Sequence, residues 1–203
     1  MTSASIFLAS RSPRRRELLH QIHVKFEVLM FRSGARSDAD VCEDVLAGED
    51  AVHYVQRVAR AKAAGGMQRL AWRQLHSRPV LSADTTLEVD GEVIGKPEDD
   101  GHATEILQRL SGRSHRVLTA IAVSDGARLE SVLNVSEVKF RTLTDEDIRR
   151  YLASGEHRDK AGAYGIQGRA ALFIEEIRGS YSGIMGLPLF ETAQLLQKFG
   201  VAV

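Results

Sequence analysis

Short apolar runs of strand length alternate along this chain with stretches of helical period, and no Pro/Gly/Ser-rich linker or low-complexity tract separates them. That alternation constrains the fold most: it predicts an α/β or mixed α+β arrangement forming a single domain over residues 1–203. Ser5–Ala9 reads as a buried strand. Ser12 offers an N-cap and Pro13 a first helical position, opening a helix with Leu18, Leu19 and Ile22 on one side. Val24, Phe26 and Val28 alternate like a half-buried strand, and residues 31–48 show no period and read as a loop.

From Glu49 to about Gln68 the period is helical, and Val52, Val55, Ala59 and Lys62 fall on one face. Pro79–Ala83 reads as a buried strand that ends at Asp84. Asp90-Gly91-Glu92 predicts a tight hairpin, and Asp125-Gly126 a second one within roughly 116–140. A helix is expected from about Asp100 to Leu110, stopped by Gly112. Thr144 and Asp147 form a short-armed capping box for a helix ending near Gly155. A Gly-rich loop, a strand around 172–176, another Gly-rich loop and a helix begun by Pro188 complete the chain.

Composition excludes several classes. Apolar residues make up 43%, and 27 basic residues cancel 27 acidic ones, which fits neither a disordered polyelectrolyte nor a generally basic nucleic-acid coat. A lone Cys42 rules out a disulfide scaffold and makes the reducing cytoplasm the expected compartment. No run approaches the ~18 apolar residues of a membrane span, and MTSASIFLAS lacks a signal peptide's basic start and long apolar core. No membrane partner is expected.

Several clusters could carry chemistry. Ser10-Arg11-Ser12-Pro13-Arg14-Arg15-Arg16 lies where a strand hands over to a helix. Hydroxyls, free helix amides and guanidiniums there could bind phosphate oxygens, or the cluster could be a solvated basic helix start. Lys62, on an apolar helix face, either snorkels to water or points into a cleft holding an anion. Asp84 at a strand end could hold a divalent metal or take a proton from water, or could simply form a turn. Lys96 follows the first hairpin and could be an exposed turn lysine. Asp159–Gly168 is dense in glycine around Lys160 and Gln167; the amide could read a base edge, or sit buried and satisfied. Seven scattered His without ligand spacing argue against zinc, and no Walker-type phosphate loop is present.

Taken together, these motifs resemble the Maf family of nucleoside triphosphate pyrophosphatases. The resemblance runs through Leu8-Ala9-Ser10-x-Ser12-Pro13-Arg14-Arg15, Arg57-x-Ala59-x-x-Lys62-Ala63, Ala83-Asp84-Thr85, Gly95-Lys96-Pro97, Leu110-Ser111-Gly112, Asp159–Gly168, Gly179-Ser180-Tyr181 and Gly186-Leu187-Pro188-Leu189. It implies an α/β fold of the Maf/inosine triphosphate pyrophosphatase type: a long twisted mixed sheet flanked by helices, with a cleft between two lobes. It also implies a homodimer and cleavage of a nucleoside triphosphate between the α and β phosphates, with a divalent cation, Mg²⁺ or Mn²⁺.

Carried over residue by residue, Asp84 matches the family's catalytic aspartate and general base. Arg14, Arg15, Lys62 and Lys96 match its phosphate contacts, with Ser10 and Ser12 in the same opening signature. Arg14, Thr85 and Gln167 match its specificity positions, and Gln167 resembles the dTTP/UTP branch, where the 7-methyl-GTP branch carries Glu. Glu43 matches the family's acidic cleft residue and, with Asp84, the metal ligands; Asp44 is the alternative register. Tyr181-Ser182-Gly183 departs from the family's Ser-Asn after the tyrosine. The competing expectations are a 7-methyl-GTP pyrophosphatase, or a non-catalytic nucleotide- or DNA-binding regulator of septum formation. Neutral charge and the lack of a basic recognition helix weigh against nucleic acid.

Overall fold

A computed structural model describes residues 5–30 and 41–203 of the chain. Seven strands form one mixed sheet: β1 (Ile6–Leu8), β2 (Phe26–Val28), β3 (Val80–Val89), β4 (Glu92–Ile94), β5 (Ser114–Ser124), β6 (Leu129–Phe140) and β7 (Ile174–Arg178). Their order is β2-β1-β3-β5-β6-β7, with β4 added to β3. The pairings among β2, β1 and β3 are parallel, and all others are antiparallel. The helices are α1 (Pro13–Gln21), α2 (Ala51–Trp72), α3 (Asp100–Leu110), α4 (Asp145–Leu152), α5 (Tyr181–Met185) and α6 (Leu189–Lys198). Among the described residues no helix is long and apolar enough to cross a membrane.

Sheet alternation divides the interior into two layers. On one face, Ala51, Val55, Ala59 and Ala63 of α2 pack on Leu118, Ala120 and Ala122 of β5. Small side chains let the helix come close: the buried Ser82 hydroxyl donates to the Ala59 carbonyl at 2.7 Å. A Cβ on Gly66 would stand 2.7 Å from Val80 Cγ1, so this helix position needs glycine. The opposite face carries the main core, where Leu81, Ala83, Leu87, Val117 and Ile121 meet Leu18, Leu19, Leu107, Leu195 and Leu196.

β3 departs from expectation. It does not end at Asp84 but continues to Val89, because β5 pairs with it without a break from Val80 to Glu88. Its other edge changes partner instead. Val80 and Leu81 pair with β1, Leu87–Val89 pair with β4, and no strand among the described residues pairs with that edge in between. The sheet forks there, with Asp84 and Thr85 between the two pairings.

The remaining expectations fare unevenly. Both hairpins form, the first turning on Asp90 and Gly91 at φ 55° and 81° with Glu92 already in β4. The Thr144–Asp147 capping box is complete. Pro13 opens α1 and Ser12 sits at its N-cap, yet the Ser12 hydroxyl makes no capping bond. Residues 169–173 form a 3-10 turn, so the strand expected around 172–176 begins only at Ile174. Within the second Gly-rich stretch lies α5, capped by Ser180 and closed by Gly186. Of the loop expected over 31–48, residues 31–40 lie outside the described residues, while 41–48 form no helix or strand.

Candidate active site

Asp84 and its cross-strand neighbour Ala120 lie on the α2 side of the sheet. That register meets Lys62, one turn past Ala59 on the same helix face. Lys62 Nζ stands 2.8 Å from Asp84 Oδ1 and 2.9 Å from Glu43 Oε1. Lys62 and Asp84 keep only 14% and 10% of their side-chain surface exposed, whereas Glu43 keeps 51%. The sequence left open whether Lys62 snorkels away; its ammonium instead turns to two carboxylates at the fork. Of the two candidate acids in the loop, Glu43 reaches Lys62, while the Asp44 carboxylate faces Cys42 Sγ. Asp84 Oδ2 accepts no hydrogen bond among the described residues.

Thr85, one residue on, projects to the other face. Its Oγ1 lies 3.2 Å from Arg15 Nη2 and 2.9 Å from Thr119 Oγ1. Thr119 donates to the Gly183 carbonyl at 2.8 Å, and a carbonyl only accepts. The direction of the chain follows: Arg15 donates to Thr85, Thr85 to Thr119, and Thr119 to Gly183. Arg15 is held further by Nε to Gly186 O (2.8 Å) and Nη1 to the buried Ser10 hydroxyl (3.1 Å). Burial lowers the Arg15 pKa and the nearby Asp84 charge opposes that shift. Two of its five N–H groups stay uncommitted, enough to meet an anion.

The other expected site residues are placed but unengaged. Arg14 and Ser12 are half-buried and Lys96 is exposed, and no side-chain hydrogen bond or ion pair involves them among the described residues. Gln167 is exposed and unbonded, which removes the buried, satisfied amide as an explanation for it. Its loop is nonetheless anchored beside Lys96. Gly162 N donates to Gly95 O at 2.9 Å, and a Cβ on Gly162 would collide with Leu87 Cδ2 at 2.2 Å. In the same loop Lys160 has its pKa lowered by burial, then by the Arg14 charge, so these two cations lie in one field.

Three residues escaped the sequence reading. Thr119 gave no signal, because its role depends on a cross-strand register. Tyr54 and Arg57 were visible as helical residues ahead of Lys62, and Arg57 sat inside a recognised motif without a function. Tyr54 donates to the Glu43 carbonyl at 2.9 Å, and burial, with the Asp84 and Glu43 charges, pushes its pKa to about 12.

A divalent cation can be tested against these donors. No group of three or more His, Cys, Asp or Glu suited to a metal exists among the described residues. Two carboxylates do converge on a single cationic centre, the Lys62 ammonium. Mg²⁺ is commonly held by one or two carboxylates together with substrate phosphates, so the pair fits an ion that arrives with a phosphorylated ligand.

A lysine between two carboxylates and an anchored arginine thus stand on the two faces of a fork in a mixed sheet. The chain belongs to the Maf family: the family model described as "Maf-like protein" matches residues 5–199. A protein of Aromatoleum aromaticum named dTTP/UTP pyrophosphatase is 65% identical over 97% of this chain and 96% of its own length. One of the same name from Dechloromonas aromatica is 56% identical over 96% of this chain and 97% of its own. The solved structure of the Staphylococcus aureus Ham1 protein matches with a TM-score of 0.46 at 18% identity, over 67% of this chain and 71% of that one, a partial likeness only.

Proposed function

We propose that this protein hydrolyses dTTP and UTP to the nucleoside monophosphate and pyrophosphate. The observation that carries the reading is Lys62 held between Asp84 and Glu43 at the open edge of β3. The name shared by relatives that match nearly the whole chain supports the same substrate class.

Asp84 serves as general base through its uncommitted Oδ2. It takes a proton from a water whose oxygen attacks the α-phosphorus, while the bond from that phosphorus to the bridging α–β oxygen breaks and pyrophosphate leaves. Lys62 fixes the other Asp84 oxygen and so sets the direction of the base. Arg14, Arg15 and Lys96 meet the triphosphate charge, with Ser10 and Ser12 beside them. Glu43 and Asp84 would hold Mg²⁺ or Mn²⁺, which supplies charge neutralisation on the phosphoryl oxygens when bound. Gln167 reads the base: an amide offers the paired donor and acceptor that a uracil-type edge needs. A homodimer working in the cytoplasm belongs to the same proposal, supported by the family resemblance and by the single cysteine respectively.

The test is pyrophosphate release with Mg²⁺ or Mn²⁺ across dTTP, UTP, CTP, GTP and 7-methyl-GTP, beside an Asp84→Asn control. Preference for dTTP and UTP, lost in the variant, is the expected result. Preference for 7-methyl-GTP would overturn the substrate, and no release from any nucleotide would overturn the reaction.

A further inference from the structure

The segment that brings Glu43 to Lys62 has little to hold it by packing. Residues 41–49 form no helix or strand, and while Val41 is half-buried, Val45 and Leu46 stay 47% and 50% exposed. A stretch with so few buried contacts opens easily unless polar contacts fix it. Here they come from α2, on three successive carbonyls. Arg57 Nη1 donates to Cys42 O at 3.1 Å, Tyr54 Oη to Glu43 O at 2.9 Å, and Arg57 Nη2 to Asp44 O at 2.8 Å. Arg57 also grips Glu49 at the far end of the segment, with Nε–Oε1 2.6 Å and Nη2–Oε2 2.8 Å. Glu49 Oε2 in turn accepts the Leu46 amide at 3.1 Å. The guanidinium lies 5.7 Å from the centre of the Tyr54 ring, so the two side chains support each other.

We propose that Tyr54 and Arg57 are positioning residues, a clamp on the backbone around Glu43 that holds its carboxylate on Lys62 beside Asp84. The proposal rests on the pyrophosphatase reading for its catalytic consequence, but not for the clamp itself. Arg57 is an arginine close to the site, yet it is not a phosphate ligand, because four of its five N–H groups are committed within the protein. Tyr54 donates its hydroxyl proton to the Glu43 carbonyl, a contact that a carbonyl acceptor permits in that direction alone. Tyr54 and Lys62 sit on one helix eight residues apart, about 12 Å along its axis. A single rigid element thereby fixes both the lysine and the loop acid that meets it.

Tyr54→Phe and Arg57→Lys, each made alone and in a Glu43→Gln background, test this. Two readouts are followed: hydrogen–deuterium exchange of the peptide covering 41–49, and steady-state dTTP hydrolysis. The expected result is exchange about ten-fold faster in 41–49 and unchanged in β3, because only the clamp is weakened. With it, kcat falls about ten-fold with KM within about two-fold, less than the ~10²-fold that a 1 Å misplacement can cost, because the Lys62 contact still draws Glu43 in. In the Glu43→Gln background the clamp substitutions cost nothing further, since the carboxylate they position is already gone. Unchanged exchange in 41–49 would overturn the clamp. A full additive loss in the Glu43→Gln background would overturn its action through Glu43. If the unaltered protein hydrolyses no nucleotide, the functional reading fails while the exchange result still decides the clamp.

Discussion

Asp84 and Thr85 are neighbours on β3 that face opposite sides of the sheet, one bonded to Lys62 of α2 and the other to Arg15 of α1. A two-residue repeat makes this unavoidable in any strand. Its consequence is that the acid and the anchored arginine approach the fork from different layers of the protein. Among the described residues, β3 has no strand partner on its outer edge at this point.

Asp84→Asn tests the acid. The amide keeps the shape and still accepts from Lys62, so folding should survive with a small change in thermal midpoint. Turnover should fall by about 10²–10⁴, the usual cost of losing a positioned base. Steady-state pyrophosphate release and a melting curve on one preparation check both halves.

Thr119→Val tests the arginine's support. Removing the hydroxyl takes away one of two donors to the Gly183 carbonyl, which keeps the Gly186 N–H, and leaves the Thr85 proton without an acceptor, at a cost of about 1–3 kcal/mol. Thr85 loses the partner that orients its hydroxyl, which weakens one of the three contacts that aim Arg15, so KM for the nucleotide should rise more than kcat falls. Thr119→Ser retains the hydroxyl and should restore most of the affinity. Equal behaviour of Val and Ser would mean that the Thr119 hydroxyl does not support Arg15.

Gln167→Glu tests base reading. The exposed amide has no partner to lose, so stability should be unchanged. A carboxylate supplies acceptors only, and selectivity should move from dTTP and UTP towards bases that present donors, 7-methyl-GTP among them. Competition between the nucleotides reads that shift directly.

His115 makes stability depend on pH. Its ring is buried against Phe140 and Tyr164, and burial pushes its pKa down to about 4 from the ordinary 6.5. Between those values the unfolded chain binds a proton that the folded one refuses. The contribution is therefore fully present above pH 6.5 and drains away as pH falls towards 4, the loss reaching about 2 kcal/mol by pH 5. Denaturant midpoints at pH 7.5 and 5 should show it, and His115→Gln should remove that component while leaving the carboxylate titrations.

Much of the architecture could be read from local chemistry. Asp- and Gly-bearing turns, capping residues and periodicity are properties of a few adjacent residues, which is why the Asp90-Gly91 hairpin, the Asp100–Leu110 helix and the Thr144–Asp147 box form as expected. The strand through Asp84 was cut short because a carboxylate after an apolar run reads as a strand end. Continuous pairing with β5, more than thirty residues away, overrides that local signal. The helix at Tyr181–Met185 hid for a similar reason, since a glycine-rich stretch of five residues carries too little period to register.

For the site, residue type and order marked Asp84, Lys62, Arg15 and Gln167 as candidates, because charge and hydrogen-bonding capacity belong to the side chain itself, while Glu43 and the specificity role of Thr85 came from the resemblance to the Maf family. What they meet is a matter of register and approach. Glu43 over Asp44, Thr85 facing Arg15, and Tyr54 with Arg57 gripping the segment around Glu43 all depend on which face each backbone presents and how closely α2 lies on the sheet. Those choices are set by distant pairings and by packing between small side chains such as Ala59 and Ala120. No single stretch of sequence contains both partners, so only the tertiary structure could decide them.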